Sequence, residues 1–126
     1  MTRFIAAIFS TLTLLFGLAA CSLTPSPANA DSAFDIGPDA IVLDVRTPEE
    51  FAVGHLDGAK LLDFNGGDLA AAIPQLDPNA DYFVYCRSGN RSGQAIALMK
   101  KAGFSNLTNL GSLEQAAEQT GIRIMK

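Results

Sequence analysis

Past residue 34, the first sustained apolar stretch is Ala40-Ile41-Val42-Leu43-Asp44-Val45, short and rich in β-branched residues. A half-exposed strand would alternate apolar with polar; a near-continuous run instead suits a strand covered on both faces of a parallel sheet. Thr47-Pro48-Glu49-Glu50 then predicts a helix start, with Thr47 as cap, Pro48 in the first turn and Glu50 completing a capping box. Gly54 stops that helix one or two turns later. Ala59 to Leu62 predicts a second strand, and Asp68 to Ile73 a short helix ended near Pro74. Tyr82 to Tyr85 is a third strand, preceded by the turn residues Pro78-Asn79. From Ser92 to Ala102 the pattern changes period: Ala95, Ile96, Leu98, Met99 and Ala102 fall on one helical face, Lys100 and Lys101 suit the last turn, and Gly103 ends it. Leu107 to Leu110 predicts a short strand. Ser112 with Gln115 forms a capping box for a last helix closed by Gly121. Strands alternate with helices, so the expected fold is α/β: a central, mainly parallel sheet with helices on both faces. Binding sites in such sheets form beyond the carboxyl ends of the strands, which is where Asp44 and Cys86 fall.

Residues 1–33 follow a different pattern. Arg3 supplies a positive charge, Phe4 to Leu18 runs apolar apart from Ser10, Thr11 and Thr13, and Ala19-Ala20 precede Cys21. A charged start, a short apolar stretch and a small-residue exit predict a secretory signal peptide over residues 1–20. The run falls short of the roughly 20 apolar residues that cross a bilayer. Leu18-Ala19-Ala20-Cys21 resembles the lipobox of bacterial lipoproteins, which implies cleavage before Cys21 and a lipid on that cysteine. Such a chain is exported and held on a membrane of the cell envelope. Cleavage after Ala28-Asn29-Ala30 is the alternative, and would leave a periplasmic or secreted protein. Residues 21–33, with Pro25 and Pro27, read as a flexible tether, and residues 34–126 as the folded domain.

Removing residues 1–20 takes away Arg3 alone of nine basic residues and none of the thirteen acidic ones, leaving a net charge of −5. This acidic balance argues against a nucleic-acid partner, which calls for a clustered basic face. It also makes the remaining positive charge informative. Of the two cysteines, a lipidated Cys21 leaves Cys86 without a disulfide partner. An unpaired thiol is unusual in an oxidising compartment. A buried, inert cysteine is the plain alternative to a reactive one.

The surroundings of Cys86 point to reactivity. Cys86-Arg87-Ser88-Gly89-Asn90-Arg91-Ser92 joins a predicted strand to a predicted helix, and two of the basic residues lie within it. A cysteine is nucleophilic as thiolate, which nearby cations and a helix N-terminus favour. Arg87 and Arg91 offer the cations, and the helix offers its free N–H groups. Gly89 permits the positive φ that a cradle of converging N–H groups requires. Ser88, Asn90 and Ser92 add small polar groups.

The same residues bring a family into view. Leu43-Asp44-Val45-Arg46-Thr47-Pro48-Glu49-Glu50-Phe51, then Gly54-His55-Leu56-Asp57-Gly58-Ala59, resemble the paired early motifs of the rhodanese domain. Cys86 to Ser92 resembles the active loop of its small single-domain members. The resemblance spans residues 34–126 and implies a rhodanese-like fold, with sulfur carried as a persulfide on Cys86. It casts Asp44 and Arg46 as supports of the loop or of packing, and His55, the only histidine, as a residue that holds backbone in place. Spacing along the next helix also suggests an Arg46–Glu50 pair.

The implied chemistry is sulfur transfer in two displacements. Cys86 thiolate takes sulfur from a small sulfur-containing anion such as thiosulfate, or from a persulfide or polysulfide donor, and a thiol or cyanide acceptor removes it. The loop N–H groups and both arginines would stabilise the anionic species. No metal or organic cofactor is called for, and one histidine with one site cysteine makes no standard zinc constellation. Phosphatase or arsenate reductase chemistry is the enzymatic alternative. Cysteine phosphatases place five residues between cysteine and arginine, whereas four separate Cys86 from Arg91, which fits a sulfur atom better than a tetrahedral phosphate. A sulfur- or redox-sensing binding module using the same loop is the non-enzymatic alternative.

Overall fold

In the computed structural model, residues 36–126 are described; the segment expected to be a signal peptide (1–20), Cys21 and the whole of the expected tether (21–33) lie outside them. Ile41–Asp44 forms β1, Lys60–Leu61 β3, Tyr82–Cys86 β4 and Leu107–Ser112 β5. All pair in parallel, in the order β3-β1-β4-β5. The central strands β1 and β4 alternate their side chains between two cores. Leu43, Val45, Tyr82, Val84 and Cys86 face one, where Leu69 of helix α2 (Asp68–Ala72) and Ala95, Ile96 and Met99 of α3 (Asn90–Lys101) cover them. Val42 and Tyr85 face the other, under Ala116 of α4 (Leu113–Thr120). Both faces are covered, which is why these strands read as continuous apolar runs. Burying one such large aliphatic side chain contributes roughly 1.5–3 kcal/mol.

Helix α1 (Pro48–Val53) starts as its sequence predicts, with Thr47 Oγ1 accepting from the Glu50 N–H at 3.2 Å and Pro48 at the first position. The second half of the predicted capping box is absent, because the Glu50 carboxylate is bound elsewhere. The Ser112–Gln115 box on α4 is complete, and Gly121 closes that helix in the left-handed region at φ 71°. Helix α2 stops at Ala72, and Ile73–Gln75 tightens into a 3-10 turn containing Pro74. Two short strands escaped the sequence reading: β2 (His55–Leu56) pairs antiparallel with β6 (Ile124–Met125). Two residues each carry no periodic signal, and their pairing is set by distant chain.

Candidate functional site

The site forms where β1 and β4 end side by side. At the end of β1, Asp44 is fully buried. Its Oδ1 accepts from the Arg46 backbone N–H at 3.0 Å, and its two oxygens accept from Arg46 Nε and Nη2 at 2.9, 3.1 and 2.6 Å. Arg46 Nη2 also donates to the Gly54 carbonyl at 2.6 Å, and its guanidinium lies 5.4 Å from the centre of the Tyr85 ring. Burial alone works against the Arg46 charge, but the hydrogen bond and charge of Asp44 outweigh it, so its ionisation moves further up. Tyr85 completes this end by accepting from the Leu56 N–H at 3.0 Å, and burial pushes its phenol well up. Arg46 lies two residues past the end of β1, and its guanidinium folds back onto the Asp44 carboxylate. The predicted Arg46–Glu50 pair is therefore not formed. Glu50 instead accepts from Arg91 Nη2 at 3.0 and 3.2 Å, joining the start of α1 to the start of α3.

At the end of β4 the chain turns directly into α3. Cys86 has no exposed surface. The Gly89 N–H donates to Cys86 Sγ at 3.0 Å, and Ser92 Oγ lies 3.5 Å from it. Gly89 makes this turn in the left-handed region at φ 91°, and a Cβ there would sit 3.3 Å from Gly111 Cα. Burial pushes the thiol up. The Ser92 side chain and the backbone N–H groups of Ser92, Ser88 and Gly89 together outweigh that, and hold the thiol below its ordinary value. The charge on sulfur thus meets dipoles.

The two arginines take other places. Arg91 is occupied by Glu50, and Arg87 is exposed. The largest influences on the thiol come from burial and from Ser92, Ser88 and Gly89. Asn90 is exposed and accepts from Gln94 Nε2 at 3.3 Å, along its own helix. Ser88 contributes its backbone rather than its hydroxyl. His55 stacks on Phe51 with ring centroids 3.8 Å apart, and its Nδ1 lies 3.0 Å from the Phe51 carbonyl, a bond that fixes backbone. Among the described residues, no three His, Cys, Asp or Glu side chains converge as a metal centre would need.

Sequence reading missed Asn109. Its Oδ1 accepts from Ser92 Oγ at 2.7 Å and from the Gly111 N–H at 2.9 Å, while its Nδ2 donates to the Gly89 carbonyl at 3.1 Å. One side chain thus grips both residues that touch the sulfur. A β-bulge aims it there: Val84 pairs with Asn109 but Tyr85 pairs with Gly111, leaving Leu110 as the extra residue. A hydroxyl has one hydrogen. With Cys86 protonated, its S–H points to Ser92 Oγ and the Ser92 hydrogen goes to Asn109; on ionisation that hydrogen turns to Sγ.

Residues 26–118 match the family of the rhodanese-like domain, and the chain belongs to that family. It is 39% identical over 95 residues to the probable adenylyltransferase/sulfurtransferase MoeZ of Mycobacterium tuberculosis, covering 73% of this chain and 24% of that protein. It is 38% identical over 71 residues to the thiosulfate sulfurtransferase GlpE of Ectopseudomonas mendocina, covering 56% of this chain and 63% of GlpE. The chain thus spans about a quarter of one relative and under two thirds of the other. The crystal structure of the Rhodanese_3-like domain of the Anabaena protein Alr3790 superposes with a TM-score of 0.59 at 26% identity, over 68% of this chain and 98% of that one.

Proposed function

We propose that this protein is a sulfurtransferase that carries sulfane sulfur as a persulfide on Cys86. One observation carries the reading: a buried thiol, held below its ordinary ionisation by converging N–H groups at a helix start. The likeness to a named thiosulfate sulfurtransferase supports it. Cys86 thiolate attacks the outer sulfur of thiosulfate, or of a persulfide or polysulfide. The donor's S–S bond breaks, its electron pair leaves on the departing group (sulfite, for thiosulfate), and Cys86 persulfide remains. Cyanide or a thiol then attacks the outer sulfur and returns the thiolate. Donors of N–H bonds aimed at sulfur favour the anionic form throughout. Phosphate chemistry fits less well, since the loop arginine that would clamp a phosphate is bound to Glu50.

We place the domain at the cell envelope, with residues 1–20 as export signal, Cys21 lipidated and residues 21–33 as tether. Multiple acyl chains, at about 0.8 kcal/mol per buried methylene, would hold it on a membrane. Intact mass tests both parts. Protein from the membrane fraction should begin at a lipid-bearing Cys21, and treatment with thiosulfate should add one sulfur that cyanide removes. Cys86→Ser should fold and gain nothing. A lipid-free chain beginning at Asp31 would overturn the anchor, and turnover of aryl phosphates with no sulfur gained would overturn the transferase.

A further inference from the structure

The Ser92 hydroxyl has few partners to choose from. Ser92 is fully buried in the first turn of α3, away from water. Within bonding distance its Oγ meets Cys86 Sγ at 3.5 Å and Asn109 Oδ1 at 2.7 Å. The one hydrogen on Oγ serves one of these at a time. Asn109 decides which. Its Nδ2 faces the Gly89 carbonyl, which only accepts, and its Oδ1 faces the Gly111 N–H, which only donates, so the amide has a single orientation. The atom aimed at Ser92 is therefore an acceptor, and the Ser92 hydrogen lies between the two oxygens. That leaves the sulfur as the donor in its own contact with Oγ, the arrangement of a protonated thiol.

A thiolate reverses the demand. Its Sγ only accepts, so the Ser92 hydrogen must turn away from Asn109 to reach it. The turn leaves Oδ1 with the Gly111 N–H, and no acceptor is stranded. The bulge at Leu110 makes this possible, since it sets both Asn109 and Gly111 where they stand. Asn109 is thus built to give up one donor and keep another.

We infer that Asn109 is a positioning residue for sulfur transfer: it holds the Ser92 hydrogen while the Cys86 sulfur is neutral and yields it when that sulfur becomes anionic. The inference rests on the sulfurtransferase reading for its place in turnover, and names what governs charge at that same site. In the first step thiolate charge leaves Sγ as the new S–S bond forms, and the hydrogen returns to Asn109. In the second, the acceptor attacks the outer sulfur, the Sγ–S bond breaks with its electron pair on Sγ, and the hydrogen swings to Sγ as that charge arrives. The Oγ–H bond never breaks; only its direction changes. A donor that reaches the sulfur only as charge develops favours the transition state over the persulfide that precedes it.

The test is a double-mutant cycle on the full chain, with Asn109→Leu and Asn109→Asp each made in the wild type and in Ser92→Ala. The pH dependence of iodoacetamide alkylation reads the thiol pKa. Leu accepts no hydrogen, so the neutral thiol state loses a bond; Asp holds the hydrogen more firmly than Asn does. Relative to the same change in Ser92→Ala, Asn109→Leu should lower the thiol pKa by about half a unit to one unit, and Asn109→Asp should raise it by about as much. Effects common to both backgrounds cancel, the lost Gly89 contact and the added carboxylate charge among them. So do the fields of Asp44, Arg46, Glu50, Arg87, Arg91 and Glu114 around this end of the sheet. Cyanide should discharge the persulfide of Asn109→Asp about tenfold more slowly than the Ser92→Ala background predicts. Couplings of the same sign, or absent from either variant, overturn the positioning role and leave the sulfurtransferase standing. A wild type that gains no sulfur from thiosulfate or a polysulfide overturns the sulfurtransferase and the turnover role with it.

Discussion

The carboxyl ends of β1 and β4 are neighbours in one sheet and are finished in opposite ways. The β1 end is closed by full charges: Asp44 and Arg46 are both buried and saturate one another at 2.6–3.1 Å. The β4 end is closed by neutral groups, backbone N–H and hydroxyl, around a sulfur that would change charge in the proposed cycle. The difference separates rigidity from chemistry. A fixed ion pair pins Gly54, and through it α1, but permits no change of charge. Neutral dipoles hold a thiolate and, in the proposed persulfide, where Sγ no longer carries the charge, could turn away from it at little cost. Arginines placed on the sulfur would favour one charge state alone. Here one is tied to Glu50 instead.

Substitutions at the two ends should therefore fail differently, and the largest effect belongs to the ion pair. Asp44→Ala leaves the Arg46 charge buried and unpaired, which should cost about 3–5 kcal/mol. Urea unfolding measures it, and a loss below 1 kcal/mol would mean that Arg46 finds water or another partner. Ser92→Ala comes next and should move chemistry more than stability. It removes a hydrogen bond to a charged group, worth about 1.5–3 kcal/mol or one to two units of thiol pKa. The pH at which iodoacetamide reacts with Cys86 should rise accordingly. A depressed folded value means that the thiolate's contribution to stability is complete above the unfolded value and is lost as pH falls through the folded one. Ser92→Ala should narrow that window, so stability measured across it separates Ser92 from a purely structural residue.

Gly89→Ala is third. The left-handed backbone costs a side chain roughly 1–2 kcal/mol, and the added Cβ would sit 3.3 Å from the Gly111 Cα, which must give way by a few tenths of an ångström. Lower melting temperature together with a raised thiol pKa is expected, since the Gly89 N–H reaches the sulfur only in this conformation. Arg91→Ala is last. A partly exposed ion pair contributes about 0.2–1 kcal/mol. The alkylation profile of Cys86 should stay where it is. A profile displaced upward by a full unit would return the arginine to the sulfur and erase the contrast between the two strand ends.

The layers of the fold were legible because burial on both faces writes itself as unbroken apolar runs, as in residues 40–45 and 82–85. The loop was legible because a cysteine, a glycine and a helix start fall within seven residues. The start of α3 was read two residues late, at Ser92, because Asn90 and Arg91 offer no apolar residue to mark the helical period. In the structure Gly89 occupies the cap position with no side-chain bond, and the Ser92 hydroxyl serves the sulfur and Asn109. Asn109 was hidden because its role depends on a bulge that reorients one strand residue. The only trace was Asn109-x-Gly111 across the end of the predicted 107–110 strand, since a glycine in a strand signals a bulge. The roles of Arg91 and Glu50 were hidden for the same reason: a pair 41 residues apart leaves no periodic mark.

Complete burial of Cys86 turns its reactivity into a question of time. A reagent meets the sulfur only during the moments when the loop stands open, so the observed rate is the product of the opening equilibrium and the rate of attack. The bonds from Gly89, Ser92 and Asn109 enter both factors with opposite sign. They make the sulfur a better nucleophile and shorten the intervals in which it can be reached. A sulfur stored there as proposed would gain the same shelter, its lifetime against stray thiols set by how seldom those few hydrogen bonds break together.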